Sequence, residues 1–544
     1  MKSIIVIGSG IAGMSCAVNS ARKGIHVLLV SPFPSERSQS VMAAGGINAV
    51  LTDCERGDSV ERHVEDTLKG GQGIAGRAAV TGLCEHAEEI IRELERIGTV
   101  FSVDEAGSPM RRAFGGQSKR RTYYCGSSTG KQIVSALVME VRRYEALGLI
   151  ERRLWSYFHS ALIEDEVCYG AILFDEISRK LEAVCADALV MATGGQNALF
   201  GKTTGSTQCD GYAAGRLFLQ GAELKNLEFI QYHPTTLETS QKRMLISEAV
   251  RGEGGRLFYN RQGERVYFME EKYGPNGNLM TRDIVAREME NAPADVYLDI
   301  SFLAQKTIAQ HLPEVQELCA KFRGIDITKE PIPVAPSVHF FMGGLAVHLN
   351  HETNIRNLFA VGECASIYHG ANRLGGNSLL AALYSGIVAA NEISSRTSPE
   401  KRVDFTARLR LEEQTLTKHM DSESSFPVMY LRDMLSETMN RSLGIVREER
   451  SLTKALEEVE YYLSIAERIR YDASVSPYYN YSLTGMLNLA KATLLSARAR
   501  KESRGAHFRS DYPNAKEELC SASLISYQGG AYAVRLDKER AYES

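Results

Sequence analysis

A glycine-rich turn near the start of the chain is the first feature that indicates chemistry. Gly8-Ser-Gly10-Ile-Ala-Gly13 lies between a strand-like and a helix-like segment. In such a motif the first glycine allows a tight turn and the second lets a pyrophosphate approach the backbone. The third lets helix and strand pack closely. The pyrophosphate would lie on the helix N-terminus, where unpaired N–H groups favour an anion. The motif therefore predicts a dinucleotide-binding site.

The glycine motif alone leaves the choice between NAD and FAD open. The acidic residue that usually holds the ribose is absent at the end of the second strand, where Ser31 stands and Glu36 follows. A pyridine-nucleotide disulfide reductase needs two nucleotide sites and a redox C-x-x-C pair. The sequence has one such glycine motif and no C-x-x-C pair, so this class is disfavoured.

The elements that must position this turn form a βαβ unit. Apolar strand-like runs at residues 2–7 and 25–30 flank a segment with helical spacing of apolar residues. Further strand-like runs at residues 188–192 and 358–361 end in glycines, and a helix is predicted at 377–393.

We predict an α/β fold with a Rossmann-like dinucleotide-binding domain in two parts, residues 1–225 and 341–400. Residues 226–340 mix short strand-like and helical pieces and predict an inserted α+β domain. The charged, helically periodic stretch predicts a C-terminal helical domain at 401–513. The tail, 514–544, receives no predicted structure.

Composition excludes several classes of function. The net charge is −4, without a basic stripe, so we expect no nucleic acid partner. No apolar run reaches about 18 residues, so we expect no direct membrane span. The first strand begins directly after Met1, which leaves no room for a secretory signal and indicates a cytoplasmic protein. The ten cysteines are dispersed, so we expect no metal site and no iron–sulfur cluster in this chain.

Eight segments between about residues 4 and 513 stand in the order of one known family. They are Met42-Ala-Ala-Gly-Gly-Ile-Asn-Ala49, Phe114-Gly-Gly-Gln117, Gln231-Tyr-His-Pro-Thr235, Ser247-Glu-Ala-Val-Arg-Gly-Glu-Gly254, Thr281-Arg-Asp-Ile-Val-Ala-Arg287, Ser337-Val-His-Phe-Phe-Met-Gly-Gly344, His369-Gly-Ala-Asn-Arg-Leu-Gly-Gly-Asn-Ser378 and Glu502-Ser-Arg-Gly-Ala-His507. Together they resemble the succinate dehydrogenase/fumarate reductase flavoprotein family, which also includes L-aspartate oxidase.

The resemblance implies that the dinucleotide is FAD and that the inserted domain is a capping domain that closes over the substrate. It also implies which residues contact FAD. They are Gly8, Gly10, Ile11, Ala12, Gly13, Ser31, Arg37, Ser38, Gln39, Ser40, Ala44, Gly45, Gly46, Ala192, Thr193, Gly194, Asp210, Gly362, Glu363, Arg373, Asn377, Ser378 and Leu379.

The resemblance further implies a C4 dicarboxylate substrate, fumarate or succinate. Such a molecule needs cationic or hydrogen-bonding groups at both ends, and the arginine fork pairs bidentately with a carboxylate. The implied substrate-binding residues are His233, Ser247, His339, Arg373, Phe114 and Gln117.

Arg282 occupies the position of the family's active-site acid, which protonates one alkene carbon while flavin N5 delivers hydride to the other. Free arginine is a poor acid because its pKa is very high. A relay that reloads the proton would make the role feasible. Glu248 and Arg251, three residues apart and on one face of a helix, match that relay.

Gln39 is the first departure from the family pattern. Membrane-bound members carry at this place a histidine that attaches covalently to the flavin, in a pattern like Arg-Ser-His-Ser/Thr. Here the pattern is Arg37-Ser38-Gln39-Ser40, and glutamine cannot form that bond. We therefore expect non-covalent FAD. In the family the covalent link raises the flavin potential and succinate oxidation depends on it, so its absence favours fumarate reduction.

Phe114 is the second departure, and it concerns L-aspartate oxidase. That branch typically has an acidic residue here, which faces the ammonium group of the substrate. A buried cation needs a counter-charge, and a phenyl ring leaves it largely unpaired. Fumarate/succinate chemistry is therefore favoured. Aspartate oxidation and a non-catalytic flavoprotein that acts as a binding partner are the alternatives.

A flavin subunit without its own clusters implies an electron partner. We expect an iron–sulfur protein subunit, with a further quinone- or thiol-reactive subunit that places the complex at the inner face of the membrane. The sequence does not distinguish quinol, thiol, reduced flavin and ferredoxin as the electron donor.

Overall fold

The computed structural model describes residues 2–52, 55–126, 128–240, 242–397, 403–420, 426–472 and 474–537. Cys54, the predicted boundary at residues 400 and 401, and the end of the tail from residue 538 lie outside the described residues. No helix in the described part of the chain is long and apolar enough to cross a membrane.

Strands occur along the whole described chain. They are β1 (Ser3–Ile7), β2 (His26–Ser31), β3 (Ile47–Asn48), β4 (Arg111–Arg112), β5 (Thr122–Tyr123), β6 (Ile150–Leu154), β7 (Ser156–Glu164), β8 (Val167–Asp175), β9 (Lys180–Cys185), β10 (Ala188–Met191), β11 (Leu224–Lys225), β12 (Ile230–Glu238), β13 (Arg243–Leu245), β14 (Arg256–Arg261), β15 (Glu264–Val266), β16 (Val296–Asp299), β17 (Ile332–Phe341), β18 (Gly344–Ala346), β19 (Leu358–Ala360), β20 (Ala365–Ser366), β21 (Val446–Arg447), β22 (Phe508–Arg509), β23 (Ala522–Gln528) and β24 (Ala531–Asp537).

Helices alternate with strands in the first part of the chain and follow one another near its end. They are α1 (Ile11–Arg22), α2 (Val60–Gly70), α3 (Arg77–Glu85), α4 (Ala87–Arg96), α5 (Thr129–Ala146), α6 (Tyr212–Leu219), α7 (Ala249–Gly252), α8 (Phe268–Tyr273), α9 (Arg282–Glu290), α10 (Gln305–His311), α11 (Pro313–Arg323), α12 (Asn377–Ser395), α13 (Thr406–Met420), α14 (Val428–Ser442), α15 (Glu449–Ala466) and α16 (Pro477–Ala499).

A five-stranded parallel sheet forms the centre of the dinucleotide-binding domain, in the order β19-β10-β1-β2-β6. Its central strand contains the apolar run Ile4, Ile5 and Val6, which is at most 1% exposed. Helices α1, α5 and α12 cover one face of the sheet, and the three-stranded sheet β7-β8-β9 covers the other. The carboxyl ends of β1, β2, β10 and β19 meet at one edge, where dinucleotides bind in such folds. The predicted Rossmann-like α/β fold is confirmed.

The glycine turn connects β1 to α1 at this edge. Gly8 has a φ of +111°, which side chains rarely adopt. A Cβ atom on Gly13 would lie 1.8 Å from the Gly8 carbonyl oxygen. The third glycine is therefore required for contact between the helix and the turn, as the motif predicts.

The segment between the two halves of this domain forms a six-stranded sheet of its own, in the order β13-β12-β17-β16-β14-β15. Helices α7 to α11 belong to the same segment, and its apolar core comprises residues between 237 and 334. We call this segment the capping domain; its boundaries, residues 226–340, stay a prediction, and strand β17 extends to Phe341. Its strands β12 and β17 pair antiparallel and carry several of the residues discussed below.

The C-terminal part begins with the four helices α13 to α16 and ends in a hairpin. Strands β23 and β24 form this hairpin, and β23 pairs with β11, with Leu224 opposite Ile525. The sequence patterns predicted no structure for the tail, residues 514–544. Gly529-Gly530 between two strand-like runs is a hairpin signal that could have revealed it.

A buried ion network attaches this C-terminal part to the rest of the molecule. Arg500 Nε donates to Glu228 Oε1 at 2.6 Å, and its Nη1 donates to Glu502 Oε1 at 2.9 Å. Ala506 N donates to the carbonyl of Ala371 at 3.0 Å. Since removing one partner of a buried pair is costly, these contacts fix the loop that precedes Arg373.

Candidate active site

A cavity begins at the glycine turn and continues between the parallel sheet and the capping domain. Most of the predicted FAD residues line it. They are Gly8, Gly10, Ile11, Ala12, Ser31, Ser38, Gln39, Ser40, Ala44, Gly45, Gly46, Ala192, Thr193, Gly194, Asp210, Gly362, Glu363, Arg373, Ser378 and Leu379.

The loop that contains Ser38 and Ser40 fits a polar cofactor. Ser40 Oγ accepts a hydrogen bond from Ile11 N at 3.1 Å and so holds the loop against the N-terminus of α1. Ser38 Oγ is buried without a hydrogen-bond partner. Since buried hydroxyl groups are normally paired, this atom indicates a ligand that the cavity accommodates.

The adenosine end of the cavity is predicted at the end of β2, where Ser31 stands. Across the same cavity, Tyr478 from α16 donates from its hydroxyl group to Asp210 Oδ2 at 2.8 Å. The ring of Tyr478 stacks on Tyr157 with ring centres 4.0 Å apart. The C-terminal helices thus contribute to this end of the cavity, which the sequence did not predict.

Glu363 is a buried acid in the wall of the same cavity. Its Oε1 accepts a hydrogen bond from Phe341 N at 3.1 Å. Burial raises the pKa of this carboxyl group to about 7, against the smaller lowering effects of that hydrogen bond and the charge of Arg373. Glu363 therefore titrates near neutral pH.

Arg282 and Glu248 form the tightest charged contact at the other end of the cavity. Arg282 is the first residue of α9 and Glu248 immediately precedes α7. Oε2 of Glu248 accepts from both Nε and Nη2 of Arg282, at 2.9 and 2.7 Å. Both side chains are largely buried and both line the cavity, so the pair faces its interior.

The second oxygen of Glu248 faces away from Arg282. Oε1 accepts from Gly115 N at 2.7 Å and lies 3.6 Å from Arg251 Nη2. Burial raises the pKa of Glu248, but the charges of Arg282 and Arg251 and the hydrogen bonds from Arg282 and Gly115 outweigh burial, so the pKa lies below its usual value. The carboxylate therefore remains ionised between two guanidinium groups.

Gln231 joins the two arginines of the cavity. Its Oε1 accepts from Arg282 Nη1 and from Arg373 Nη2, both at 3.0 Å. Its Nε2 donates to Asn372 Oδ1 and to the carbonyl of Arg373, both at 2.8 Å. Gln231 is fully buried, so it fixes the spacing of the two guanidinium groups.

Arg373, His233 and His339 surround the space next to Arg282. The two histidine rings lie 5.1 Å apart, and Arg373 lies 4.2 Å from the ring centre of Phe340. Arg373 Nε is buried without a hydrogen-bond partner. Burial and nearby arginine charges hold the pKa of both histidines well below 6.5, so both are neutral.

Ser247 and Phe114 complete this end. Ser247 lies directly before Glu248, and its hydroxyl oxygen accepts from Ala249 N at 3.3 Å. Phe114 is 3% exposed, and a Cβ atom on Gly375 would lie 2.9 Å from its ring. The structure therefore brings an apolar ring, and no acidic side chain, to position 114.

Five predicted site residues do not line the cavity, namely Gly13, Arg37, Gln117, Arg251 and Asn377. Arg37 is exposed. The Gln117 amide donates to Asn48 Oδ1 at 2.9 Å and to the Gly375 carbonyl at 3.0 Å. Gln117 thus contacts the loop that carries Arg373 and lies outside the cavity lining, and its substrate contact stays a prediction.

Sequence reasoning missed Gln231 and Asn372 as site residues. Gln231 is two residues before His233, and alternate residues of a strand share a face, so this spacing could have revealed it. Asn372 Nδ2 donates to Asp283 Oδ1 at 2.7 Å and links the Arg373 loop to α9. The chain separates these two residues by 89 positions, and no local pattern predicts such a contact.

This dinucleotide cavity with cations at its far end defines a flavin-dependent oxidoreductase. A family model described as FAD binding domain matches residues 3–379, and one described as fumarate reductase flavoprotein C-term matches residues 432–542. The chain belongs to the succinate dehydrogenase/fumarate reductase flavoprotein family and is an FAD-dependent oxidoreductase. The predicted family and the predicted cofactor are confirmed.

Known relatives extend over nearly the whole chain. A succinate dehydrogenase flavoprotein subunit of Bacillus subtilis is 37% identical, over 95% of this chain and 92% of its own. An L-aspartate oxidase of Nostoc sp. is 33% identical, over 96% and 93%. A variant of E. coli quinol fumarate reductase has a TM-score of 0.89 at 29% identity, over 99% and 97%. Overall similarity therefore shows the family but does not distinguish these activities.

Proposed function

We propose that this protein is the flavin subunit of a fumarate reductase and that it reduces fumarate to succinate. The observation that carries the proposal is Arg373. It is 4% exposed, its Nε has no partner, and it lies in the same cavity as Arg282 and the neutral His233. A buried guanidinium with free donors suits a carboxylate ligand.

The charge balance supports a dianionic ligand. Three guanidinium groups, those of Arg251, Arg282 and Arg373, lie at or behind this end of the cavity. The carboxylates that act on them are Glu248, between Arg282 and Arg251, and Glu363, which acts on Arg373. Burial lowers the pKa of Arg373 well below its ordinary value, and the charge of Arg282 lowers it further. A substrate with two carboxylates would offset both effects.

FAD, when bound along Gly8–Gly13 and the Ser38–Gly46 loop, would supply the hydride. Arg373, His233, Ser247 and His339 would bind the two carboxylates and hold the alkene in place. Arg282 would give a proton from its guanidinium to the carbon that does not receive hydride. The proton would return to Arg282 from Arg251 by way of the ionised carboxylate of Glu248, which lies 2.7 Å from Arg282 Nη2 and 3.6 Å from Arg251 Nη2.

The direction of the reaction is proposed from Gln39. This side chain lines the cavity, and an amide cannot form the histidyl bond to the flavin. FAD would therefore be held non-covalently, and a lower potential would favour transfer of electrons to fumarate.

Electrons would reach the flavin from another protein. The B. subtilis relative is named as a flavoprotein subunit, which supports assembly with other chains. We propose an iron–sulfur protein as direct partner, together with a quinone- or thiol-reactive subunit at the inner face of the membrane.

Phe114 supports fumarate over L-aspartate. An ammonium group beside this buried ring would lack a counter-charge, and the nearest carboxylate, Glu248, already accepts two hydrogen bonds from Arg282.

A substrate panel tests the proposal. The purified protein should oxidise a reduced viologen dye when fumarate is added, and it should form no hydrogen peroxide from L-aspartate in air. Peroxide formation from aspartate without fumarate-dependent dye oxidation would contradict the proposal.

A further inference from the structure

Thr204 contacts one of the two cavity histidines. Its Oγ1 lies 2.8 Å from Nδ1 of His339, and it lines the cavity at 6% exposure. Thr204 follows the fully buried Phe200 in a loop that contacts β17, where His339 stands. The contact therefore fixes which ring nitrogen of His339 faces the protein and leaves Nε2 for the cavity.

A neutral histidine carries one ring N–H, on either Nδ1 or Nε2. Burial and the charge of Arg282 hold the pKa of His339 well below 6.5, so the ring is neutral. The position of that single proton decides whether Nε2 donates or accepts a hydrogen bond in the cavity. A carboxylate only accepts, so it requires a proton on Nε2.

The hydroxyl group of Thr204 has two acceptors within reach. One is His339 Nδ1 at 2.8 Å and the other is the carbonyl of Val338 at 3.2 Å. The Val338 carbonyl already accepts from the Thr204 backbone N–H at 3.2 Å. Nδ1 lies closer to the hydroxyl group, and no other donor among the described residues hydrogen-bonds to it. Nδ1 is therefore the better acceptor for the hydroxyl proton.

We propose that Thr204 donates to Nδ1 of His339 and thereby holds the histidine proton on Nε2, which donates to a substrate carboxylate. The proposal rests on the proposed dicarboxylate function. Thr204 is then a positioning residue, because it acts on the substrate through the His339 ring. Without its hydroxyl group the ring could place its proton on Nδ1, and Nε2 would present a lone pair to the carboxylate.

The test compares Thr204→Val with Thr204→Ser. Valine has the shape of threonine without the donor, and serine keeps the donor without the methyl group. For Thr204→Val we expect about a tenfold rise in KM for fumarate, because the substrate carboxylate loses one hydrogen bond, the one from Nε2 of His339. The kcat value should change less than twofold, since Arg282 and Glu248 are untouched. Thr204→Ser should retain the KM of the unaltered protein.

A second measurement reads the proton directly. The ¹⁵N spectrum of histidine-labelled holoenzyme, with the His339 signal assigned by comparison with His339→Asn, should show a protonated Nε2 and an unprotonated Nδ1. In Thr204→Val the Nδ1 signal should move towards the protonated form. An unchanged tautomer and an unchanged KM in Thr204→Val would overturn the proposal, as would equal KM changes in the serine and valine variants.

The two measurements also separate this proposal from the proposed function. If the unaltered protein neither binds nor reduces fumarate, the proposed function fails. The ¹⁵N spectrum of the ligand-free protein still reports the His339 tautomer, and a proton on Nδ1 there would overturn the role of Thr204 independently.

Discussion

The Arg282 guanidinium donates two hydrogen bonds to a single carboxylate oxygen of Glu248, at 2.9 and 2.7 Å. The other oxygen of Glu248 lies 3.6 Å from Arg251. One ionised carboxylate thus connects two guanidinium groups, one in the cavity and one behind it. Burial of three charged groups is costly, so the arrangement is not explained by stability, and it fits the proton return to Arg282 that we propose.

Replacement of Glu248 tests the proton return. We expect Glu248→Gln to lower kcat for fumarate reduction at least about a hundredfold, since an amide cannot carry the proton between the arginines. The KM value should change much less, because the carboxylate-binding residues remain. Stopped-flow and steady-state kinetics measure both.

Glu253→Gln is the matched control for that variant. Glu253 lies one residue beyond α7 and contacts His311 at 2.9 Å, outside the cavity lining. Its kcat should equal that of the unaltered protein. A Glu248→Gln protein with more than a tenth of normal kcat would exclude the relay.

Gln231 should control substrate affinity through the two arginines that it joins. We expect Gln231→Glu to raise KM for fumarate at least about tenfold, because a carboxylate between Arg282 and Arg373 neutralises charge that the substrate needs. Inhibition by malonate should weaken in parallel. Gln305→Glu, at the exposed start of α10, adds the same charge outside the cavity lining and should leave KM unchanged. An unchanged KM in Gln231→Glu would show that this bridge does not set the affinity.

Tyr478 should contribute to FAD affinity at the adenosine end. Tyr478→Phe removes the hydrogen bond to Asp210. We expect roughly five- to tenfold weaker FAD binding, which corresponds to the free energy of about one hydrogen bond. FMN lacks the adenosine part, so its affinity should stay the same. Titration of flavin fluorescence on flavin-free protein measures both.

Tyr481→Phe is the control on the same helix. The Tyr481 hydroxyl group is buried without a partner, so its removal should cost nothing. Equal losses of FAD and FMN affinity in Tyr478→Phe would show a general disturbance of the fold rather than an adenosine contact.

Glu363 should make the stability of the flavin-free protein depend on pH. Its pKa is about 7 in the folded chain and takes the ordinary value of 4.5 in the unfolded chain. As pH rises, the unfolded state therefore releases this proton first. The free energy of unfolding should therefore fall between about pH 4.5 and 7, by about 3 kcal/mol from this group, and then level off. Urea unfolding at pH 5 and pH 8 measures the change, and Glu363→Gln should lack that part of it. If the unaltered protein and Glu363→Gln showed the same pH dependence of the free energy of unfolding, that dependence would come from other groups.

Local patterns predicted the elements of this fold better than its contacts. The glycine turn, the buried run of β1 and the helix after Asn377 all have signals within a few residues. The bridge from Gln231 to Arg282 and Arg373 spans 51 and 142 positions, and no periodicity encodes it.

Gln117 shows what a family motif does not predict. Its place in a family motif predicts substrate contact, but the motif does not predict which groups its amide contacts in the protein. Its amide direction depends on Asn48 and Gly375, which come from distant parts of the chain.

The most direct test of the account is anaerobic. The flavin of the purified protein is reduced stoichiometrically, fumarate is added without another acceptor, and the absorbance of oxidised flavin is followed while succinate is quantified. We predict rapid return of the oxidised spectrum with one succinate per flavin, and no such return in Arg282→Gln. A flavin that stays reduced with fumarate, in a protein that forms peroxide from L-aspartate in air, would contradict the account.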